Sequence, residues 1–353
     1  MITNQNKTDL KNMTSQQMVR YVKSLQQPSF RAEQIMSWLY KPGIKEFSQM
    51  TDLAKEFRTL LEQRARISNF TDPVIEHSSD GAVKFGFKLE DGNYIESVLI
   101  PEGVRNTLCV SSQVGCAMGC NFCSTGAMGL KRNLKPSEIV NQACAVQDWL
   151  ISEGEKKLTN IVFMGMGEPL ANLDNLLIAL SILSEQKGLD FASRRITVST
   201  CGMVPQMLEF GKKSDANLAV SLHAVDDQTR NQLMPINKKY PIKDLLAACK
   251  EYQMKKRQRI MFEYVLLDGI TDSDEDAIKL TEILRGIPCK INLLAMNEDE
   301  TADYKSSSKD RILKFQTILR ENGYTVFVRQ SRGEDISAAC GQLAGKLMTE
   351  ENQ

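Results

Sequence analysis

Residues 109–123 read CVSSQVGCAMGCNFC, and within them Cys116, Cys120 and Cys123 form a C-x3-C-x2-C triad. A structural zinc site takes four ligands, usually from C-x2-C pairs that come twice. Here three thiols cluster with no histidine nearby. Three thiolates can instead hold three irons of a [4Fe–4S] cluster, whose full protein ligation needs four cysteines. The fourth iron is then open to a ligand, and an open metal position marks a catalytic site. Spacing alone leaves an incomplete zinc site or unrelated buried thiols as alternatives. The triad follows a short apolar run, Thr107 to Val110, and lies among Gly115, Gly119, Gly126 and Gly129. A loop at the end of a strand is where α/β folds carry their chemistry.

Downstream of the triad, strands and helices alternate. Pro136 to about Trp149 reads as a helix, Leu158 to Met164 as a buried strand, and Asp174 to Lys187 as a helix. Strands follow at Arg195–Ser199 and Asn217–Leu222, a helix at Ile242–Met254, and a strand at Ile260–Leu266. Asp274–Leu284 and Asp310–Glu321 are helical, Lys290–Leu294 and Tyr324–Val328 extended. Repeated βα units with short strands predict an α/β fold with a parallel sheet. Eight full units do not fit, so the expectation is a partial (β/α)6 barrel. Ile336 to Met348 reads as a small-residue helix carrying Cys340.

Upstream, helical spacing dominates. Met18, Tyr21, Val22 and Leu25 recur on one face, Ser29 opens a helix through Ile35, Trp38 and Leu39, and Thr51 opens another through Phe57 and Leu61. From about residue 73 the period falls to two: Val83, Phe85, Phe87 and Leu89 alternate, and Asp91-Gly92 signals a hairpin turn. Glu96 lies in the return strand on the face of Tyr94 and Val98. It is either a surface group on an edge or a base held in a cleft. The expected domains are a helical accessory unit over 1–72 and the barrel over 73–353, with a β-hairpin extension at its start and the Cys340 segment at its end.

Polar residues gather where strands stop: the triad, Gly165 to Glu168, Ser199, Ser221 to His223, and Asn297. The carboxyl ends of barrel strands form one mouth, so distant residues can line one pocket. Gly165-Met166-Gly167 lets the backbone approach a ligand closely. It lacks the third glycine and the lysine of phosphate loops, which excludes a dinucleotide or P-loop reading.

Lys plus Arg and Asp plus Glu both number 44, so no whole-molecule basic field exists to bind nucleic acid nonspecifically. Local runs remain at Lys131, Arg132 and Lys135, at Lys255, Lys256, Arg257 and Arg259, and at Arg329 and Arg332. No apolar run reaches a membrane span, the polar N-terminus has no signal-peptide core, and nine cysteines without a secretion signal point to a reducing, cytoplasmic setting. Cys144, Cys201, Cys249 and Cys289 read as small buried hydrophobes. Cys109 and Cys340 share that reading, but Cys340 has small neighbours on both sides, and thiolates also serve as covalent carriers.

The triad resembles the radical S-adenosylmethionine superfamily. Together with the Cys109–Cys116 run, Gly165-Met-Gly-Glu-Pro169, Ser221-Leu-His223, Met234-Pro-Ile-Asn237 and Asp335–Leu343, the chain is similar to the RlmN/Cfr family of RNA adenine methyltransferases, from about residue 20 to 345. The resemblance is to the RlmN branch. It implies methylation at C2 of an adenine in 23S rRNA and, in some members, of the adenine 3′ of the anticodon in tRNA. It implies a radical S-adenosylmethionine barrel in which Cys116, Cys120 and Cys123 hold a [4Fe–4S] cluster. Glu168, Pro169, Ser199, Ser221, Leu222, His223 and Asn297 would contact S-adenosyl-L-methionine, of which two are used per turnover. Cys340 would accept a methyl group from the first. The second would yield a 5′-deoxyadenosyl radical that takes hydrogen from that methyl. The carbon radical would add to C2, Glu96 would take the C2 proton, and Cys109 would release product through a transient disulfide with Cys340. An external donor such as flavodoxin or ferredoxin would supply electrons. Physical logic agrees: C2 is electron-poor, so the cofactor carries the radical step and the protein places the groups and excludes water.

Other readings predict different behaviour. C8 methylation gives a distinct product. A radical activase needs neither Cys109 nor Cys340. A non-catalytic iron–sulfur RNA-binding protein does not cleave S-adenosylmethionine.

Overall fold

The computed structural model describes residues 7–256, 258–297 and 304–343. Two short strands, β1 (Thr8–Asp9) and β2 (Ala65–Arg66), pair in parallel and bracket α1 (Ser15–Ser24), α2 (Phe30–Leu39) and α3 (Lys55–Arg64). Thr14 and Gln17 form a reciprocal capping box that starts α1, and Met18 and Val22 on its inner face are buried. The helix expected from Thr51 begins only at Lys55. Asp52 is engaged elsewhere: its carboxylate takes the Trp38 indole N–H at 2.5 Å, and its carbonyl accepts from Arg31 and Gln34.

Next, β3 (Val74–His77), β4 (Val83–Lys88), β5 (Tyr94–Glu102) and β6 (Arg105–Cys109) pair antiparallel. The Asp91-Gly92 turn lies between β4 and β5, closed by the Leu89 N–H on the Asn93 carbonyl at 2.7 Å. A separate ribbon, β7 (Gln113–Gly115) with β8 (Leu130–Asn133), frames the cysteine loop and the one-turn α4 (Ser124–Ala127).

The parallel region follows in order: α5 (Pro136–Ser152), β9 (Asn160–Phe163), α6 (Leu173–Leu183), β10 (Ile196–Thr200), α7 (Val204–Lys213) and β11 (Asn217–Ser221). Then come α8 (Asp227–Leu233), α9 (Ile242–Glu251), β12 (Ile260–Leu266), α10 (Asp274–Ile283), β13 (Cys289–Ala295), α11 (Lys309–Glu321) and β14 (Val326–Arg329). Among the described residues, one ten-stranded sheet runs β3-β4-β5-β6-β9-β10-β11-β12-β13-β14, parallel from β6 onward. Six helical crossovers join its parallel strands, and β3 and β14 remain its edges. The molecule is therefore a partial barrel of six βα units with a seventh parallel strand and an antiparallel extension.

Apolar residues make the layers. Ile161, Phe163, Ile196, Val198, Leu218, Val220, Phe262 and Ile291 are all buried, and in β9, β10 and β13 buried residues alternate with half-buried ones, so that one face of these strands packs in the apolar core. The helices of the N-terminal piece contribute to the same core. Polar ties reinforce the junction. The Lys11 ammonium, 1% exposed, donates to Asn69 at 2.8 Å and to Asn141 of α5 at 2.9 Å. The Asn12 side chain caps the first turn of α5 through the Ser137 N–H.

The C-terminal segment departs from expectation. Residues 337–343 form turns instead of a helix, with Ser337 at φ 51° and Gly341 at φ 88°; residues 344–348 of the expected helix lie outside the described residues. Backbone groups here are spent on other elements: Ile336, Cys340, Gly341 and Leu343 carbonyls accept from Lys84, Asn297, Ser124 and Thr125. Arg257 of the second basic run also lies outside the described residues. Among the described residues no helix is long and apolar enough to cross a membrane.

Candidate active site

The cysteine loop sits over the carboxyl ends of the parallel strands because three neighbours pin it. The Cys116 N–H donates to the Gly129 carbonyl at 3.0 Å, and the Asn121 N–H to the Leu233 carbonyl at 3.0 Å. The C-terminal segment is the third neighbour: the Gly341 carbonyl accepts from the Ser124 N–H at 2.7 Å, and the Leu343 carbonyl from the Thr125 hydroxyl at 2.9 Å.

An inner cavity at the strand ends is lined by Cys116, Cys120, Cys123, Glu168, Pro169, Ser199, Ser221, His223, Asn297 and Cys340. An outer cavity beside it is lined by Val98, Ile100, Cys109, Asn297, Arg329 and Cys340, among others. Asn297, Arg329 and Cys340 thus stand on the wall common to both. The exposed Cys340 is held there by the Asn297 amide, which donates to its carbonyl at 3.0 Å.

Each strand end contributes differently. Glu168 is buried: one carboxylate oxygen accepts from the Leu170 N–H at 3.0 Å, the other from the Cys201 N–H at 2.7 Å. Burial pushes its pKa up, and these donors pull it back. The Cys201 and Thr200 side chains also hydrogen-bond this carboxylate. Gly167, at φ 96°, allows this approach, since a Cβ there would lie 2.5 Å from the Gln113 Cβ. His223 is buried with φ 59°, and its Nδ1 accepts from the Val265 N–H at 3.1 Å. Burial, then the Arg230 charge, pushes its pKa down to about 3, so the ring is neutral.

Not every expected residue reaches the cavities. The Leu222 side chain is buried in the apolar core, and only its backbone serves the site, its carbonyl accepting from the Arg230 Nε at 2.9 Å. Cys109 lines the outer cavity alone. Burial pushes its thiol up to about 12, the Cys340 thiol adds to this, and Arg329 opposes it. Glu96 is buried on the β5 face that presents Val98 and Ile100 to the outer cavity, without lining that cavity itself.

Several residues escape a reading of the sequence. Arg230 is fully buried and donates to the carbonyls of Cys201, Ser221 and Leu222 and to the Asn237 side chain, with no carboxylate among these acceptors. Its nearest sequence signal is the Met234–Asn237 motif that supplies Asn237. Arg329, grouped in the sequence with Arg332 as a basic run, instead faces inward between the two cavities. Cys201 is buried as expected, but it also lines the inner cavity and its N–H holds Glu168.

The inner cavity suits an iron–sulfur cluster. Burial pushes Cys116 up to about 11 and Cys120 higher, and the neighbouring thiols add to both, so ionising them calls for a cationic partner. Arg230 supplies a buried positive charge that a thiolate-ligated anionic group would compensate. Among the described residues no three His, Cys, Asp or Glu side chains surround a single ion, and a cluster that takes one cysteine per iron does not require them to. The Asn297 Oδ1 is buried without a hydrogen-bond partner among the described residues, an acceptor that a bound ligand would satisfy.

Residues 110–281 match the model of the Radical SAM superfamily, and residues 8–67 that of the ribosomal RNA large subunit methyltransferase N-terminal domain. The dual-specificity RNA methyltransferase RlmN of Desulfotalea psychrophila is 58% identical over 356 residues, covering 99% of this chain and 98% of its own. That of Geotalea uraniireducens is 50% identical over 97% of this chain and 98% of its own. The crystal structure of a radical SAM methyltransferase from Sphaerobacter thermophilus matches with a TM-score of 0.89 and 43% identity, over 95% of this chain and 99% of that one.

Proposed function

The chain belongs to the RlmN family of radical S-adenosylmethionine RNA methyltransferases, and from that premise we propose that its two linked cavities methylate C2 of an adenine in 23S rRNA and of the adenine 3′ of the anticodon in tRNA. The observation that carries this reading is Cys340 on the wall between a cavity lined by the cysteine triad and one lined by Cys109.

In this reading Cys116, Cys120 and Cys123 hold the [4Fe–4S] cluster. When bound, the cluster and S-adenosyl-L-methionine supply the methyl group and the hydrogen-abstracting radical chemistry. Glu168, Ser199, Ser221, His223 and Asn297 orient the cofactor, with Pro169 and the Leu222 backbone fixing the turns that carry them. Neutral His223 and acceptor Asn297 favour hydrogen bonding without adding charge. Cys340 bears the methyl group between the cavities. Glu96 accepts the proton leaving C2, and the Cys109 thiolate attacks the Cys340 sulfur, so that an S–S bond forms as the S–C bond breaks; the released methylene carbon keeps the electron pair and takes a proton to become the methyl group. The adenine enters the outer cavity as an unpaired or flipped base. Residues 1–72 form the accessory RNA-contacting unit, residues 73–353 the catalytic one. A flavodoxin- or ferredoxin-type donor reduces the enzyme, which acts in the cytoplasm.

The test is anaerobic reconstitution with a methyl-labelled donor and no RNA, followed by peptide mapping. Label on Cys340 is the expected result. Unlabelled Cys340 alongside methylated RNA in a later turnover overturns the reading.

A further inference from the structure

Lys84 lies on the β4 face that alternation with Val83, Phe85 and Phe87 assigns to solvent, yet it is only 1% exposed. Its ammonium donates to the Ile336 carbonyl at 2.6 Å and lies 3.1 Å from a Glu76 carboxylate oxygen and 3.9 Å from one of Glu96. Glu76 stands directly opposite Lys84 in the β3–β4 register, and Glu96 stands opposite Gly86, diagonally across β5. Ile336 belongs to the segment carrying Cys340. The same hairpin grips that segment again: the Ser78 hydroxyl donates to Asp335 at 2.6 Å, the Ser79 N–H to Asp335 at 2.9 Å, and the Gly333 N–H to Asp80 at 2.9 Å.

We propose that Lys84 is a positioning residue of the methyl-transfer site, holding Glu96 as an ionised carboxylate and fixing it relative to the Cys340 segment. The proposal rests on the reading of Glu96 as the proton acceptor. Burial alone favours the protonated carboxyl, which cannot act as a base, and a nearby ammonium reverses that preference. Glu76 completes the device. Once Glu96 has taken a proton, Lys84 still faces one carboxylate and one carbonyl, so no buried charge is left uncompensated. Among the described residues, the charged and titratable groups on this face include Lys84 and Lys88 of β4, Glu76 of β3 and Tyr94 of β5, with Asp80 and Asp335 at the hairpin end and Glu102, Cys109, Cys340, Arg329 and Arg332 around the outer cavity; of the cations, Lys84 is the one whose ammonium lies 3.9 Å from Glu96 and is bonded to the Cys340 segment.

The test follows RNA methylation and the quenched covalent enzyme–RNA adduct across pH in the reconstituted full chain. Lys84→Met is expected to move the acid limb of turnover up by about one pH unit, a loss of about tenfold on that limb, and to raise the adduct fraction there. Lys84→Arg is expected to restore the limb. Glu76→Gln, at a partly exposed position, is expected to move the limb down, because it removes a competing negative charge. An equal loss at every pH in Lys84→Met, or no rescue by arginine, overturns the proposal. If Lys84→Met does not fold, Glu76→Gln decides alone, and an unmoved limb overturns it. Glu96→Gln separates the two readings: wild-type turnover without adduct removes the base assignment itself, whereas lost turnover with adduct keeps it and leaves Lys84 to be judged by its own variants.

Discussion

His223 is held neutral by burial in a left-handed backbone conformation, and this has a consequence for stability. Its folded pKa of about 3 lies below the unfolded value of about 6.5, so the folded chain binds fewer protons. The stability is fully present above pH of about 6.5 and is lost as pH falls toward the folded value. Replacing His223 with Gln should therefore flatten the acid side of the stability curve, by about 2 kcal/mol at a pH of about 5, measured by urea denaturation. Cys109 responds in the opposite range. With its thiol pushed up to about 12, the thiolate fraction rises about tenfold per pH unit through neutrality. Resolution of the covalent RNA adduct on Cys340 by Cys109, which leaves their disulfide, should show that slope when followed by alkylation and mass spectrometry, and Arg329→Met should slow it at every neutral pH, because Arg329 opposes the effect of burial. A flat profile would contradict this. The triad and the strand-end residues are legible because their spacing is local. Lys84 and Arg230 are not, because an isolated cation in a sequence carries no sign that a distant segment will bury it, and Arg329 is not, because its place beside Arg332 in a basic run points it to solvent.

Among the elements, the turn after β9 shows how backbone conformation builds the site. Gly167 combines φ 96° with no room for a Cβ beside Gln113, while the Gln113 side chain accepts from the Glu168 N–H at 2.8 Å. Gly167→Ala should cost about 2–4 kcal/mol and shift Glu168, weakening S-adenosylmethionine binding along with stability. Calorimetric titration of the reconstituted variant checks the first effect and thermal denaturation the second. Wild-type affinity would show that the turn does not orient the carboxylate. Five of the six crossovers and the Asp91-Gly92 hairpin are readable from period and turn chemistry, since each is set within a short window; the helix α7 between β10 and β11, which opens on Val204-Pro205 and contains Gly211, is not anticipated. The expected C-terminal helix fails for the opposite reason. Ala338-Ala339 favours a helix locally, but the carbonyls around it are taken by β4, the cysteine loop and Asn297, and those tertiary partners outweigh propensity.

Across the whole molecule, the antiparallel extension, the C-terminal segment and the cysteine loop close one end of an open sheet, so the site depends on pieces far apart in the chain. The N-terminal piece is joined to this body by shared core and by buried polar bonds. Lys11 reaches Asn69 and Asn141, and Asn141 in turn donates to Ser68. A unit so attached should not unfold by itself. Lys11→Met keeps the length of the side chain but leaves the buried Asn141 amide oxygen without this donor, a cost of about 1–3 kcal/mol, and removes the bond to the half-buried Asn69. The expected outcome is a lower denaturation midpoint with a single transition, read both by Trp38 in the N-terminal piece and by Trp149 in α5 after separate replacement of each tryptophan. Two separated transitions would mean that the N-terminal piece and the barrel are energetically independent. Coincident ones would mean that the N-terminal piece and the barrel unfold as one cooperative unit, because the buried contacts from Lys11 and Asn12 to α5 hold the N-terminal piece against the barrel.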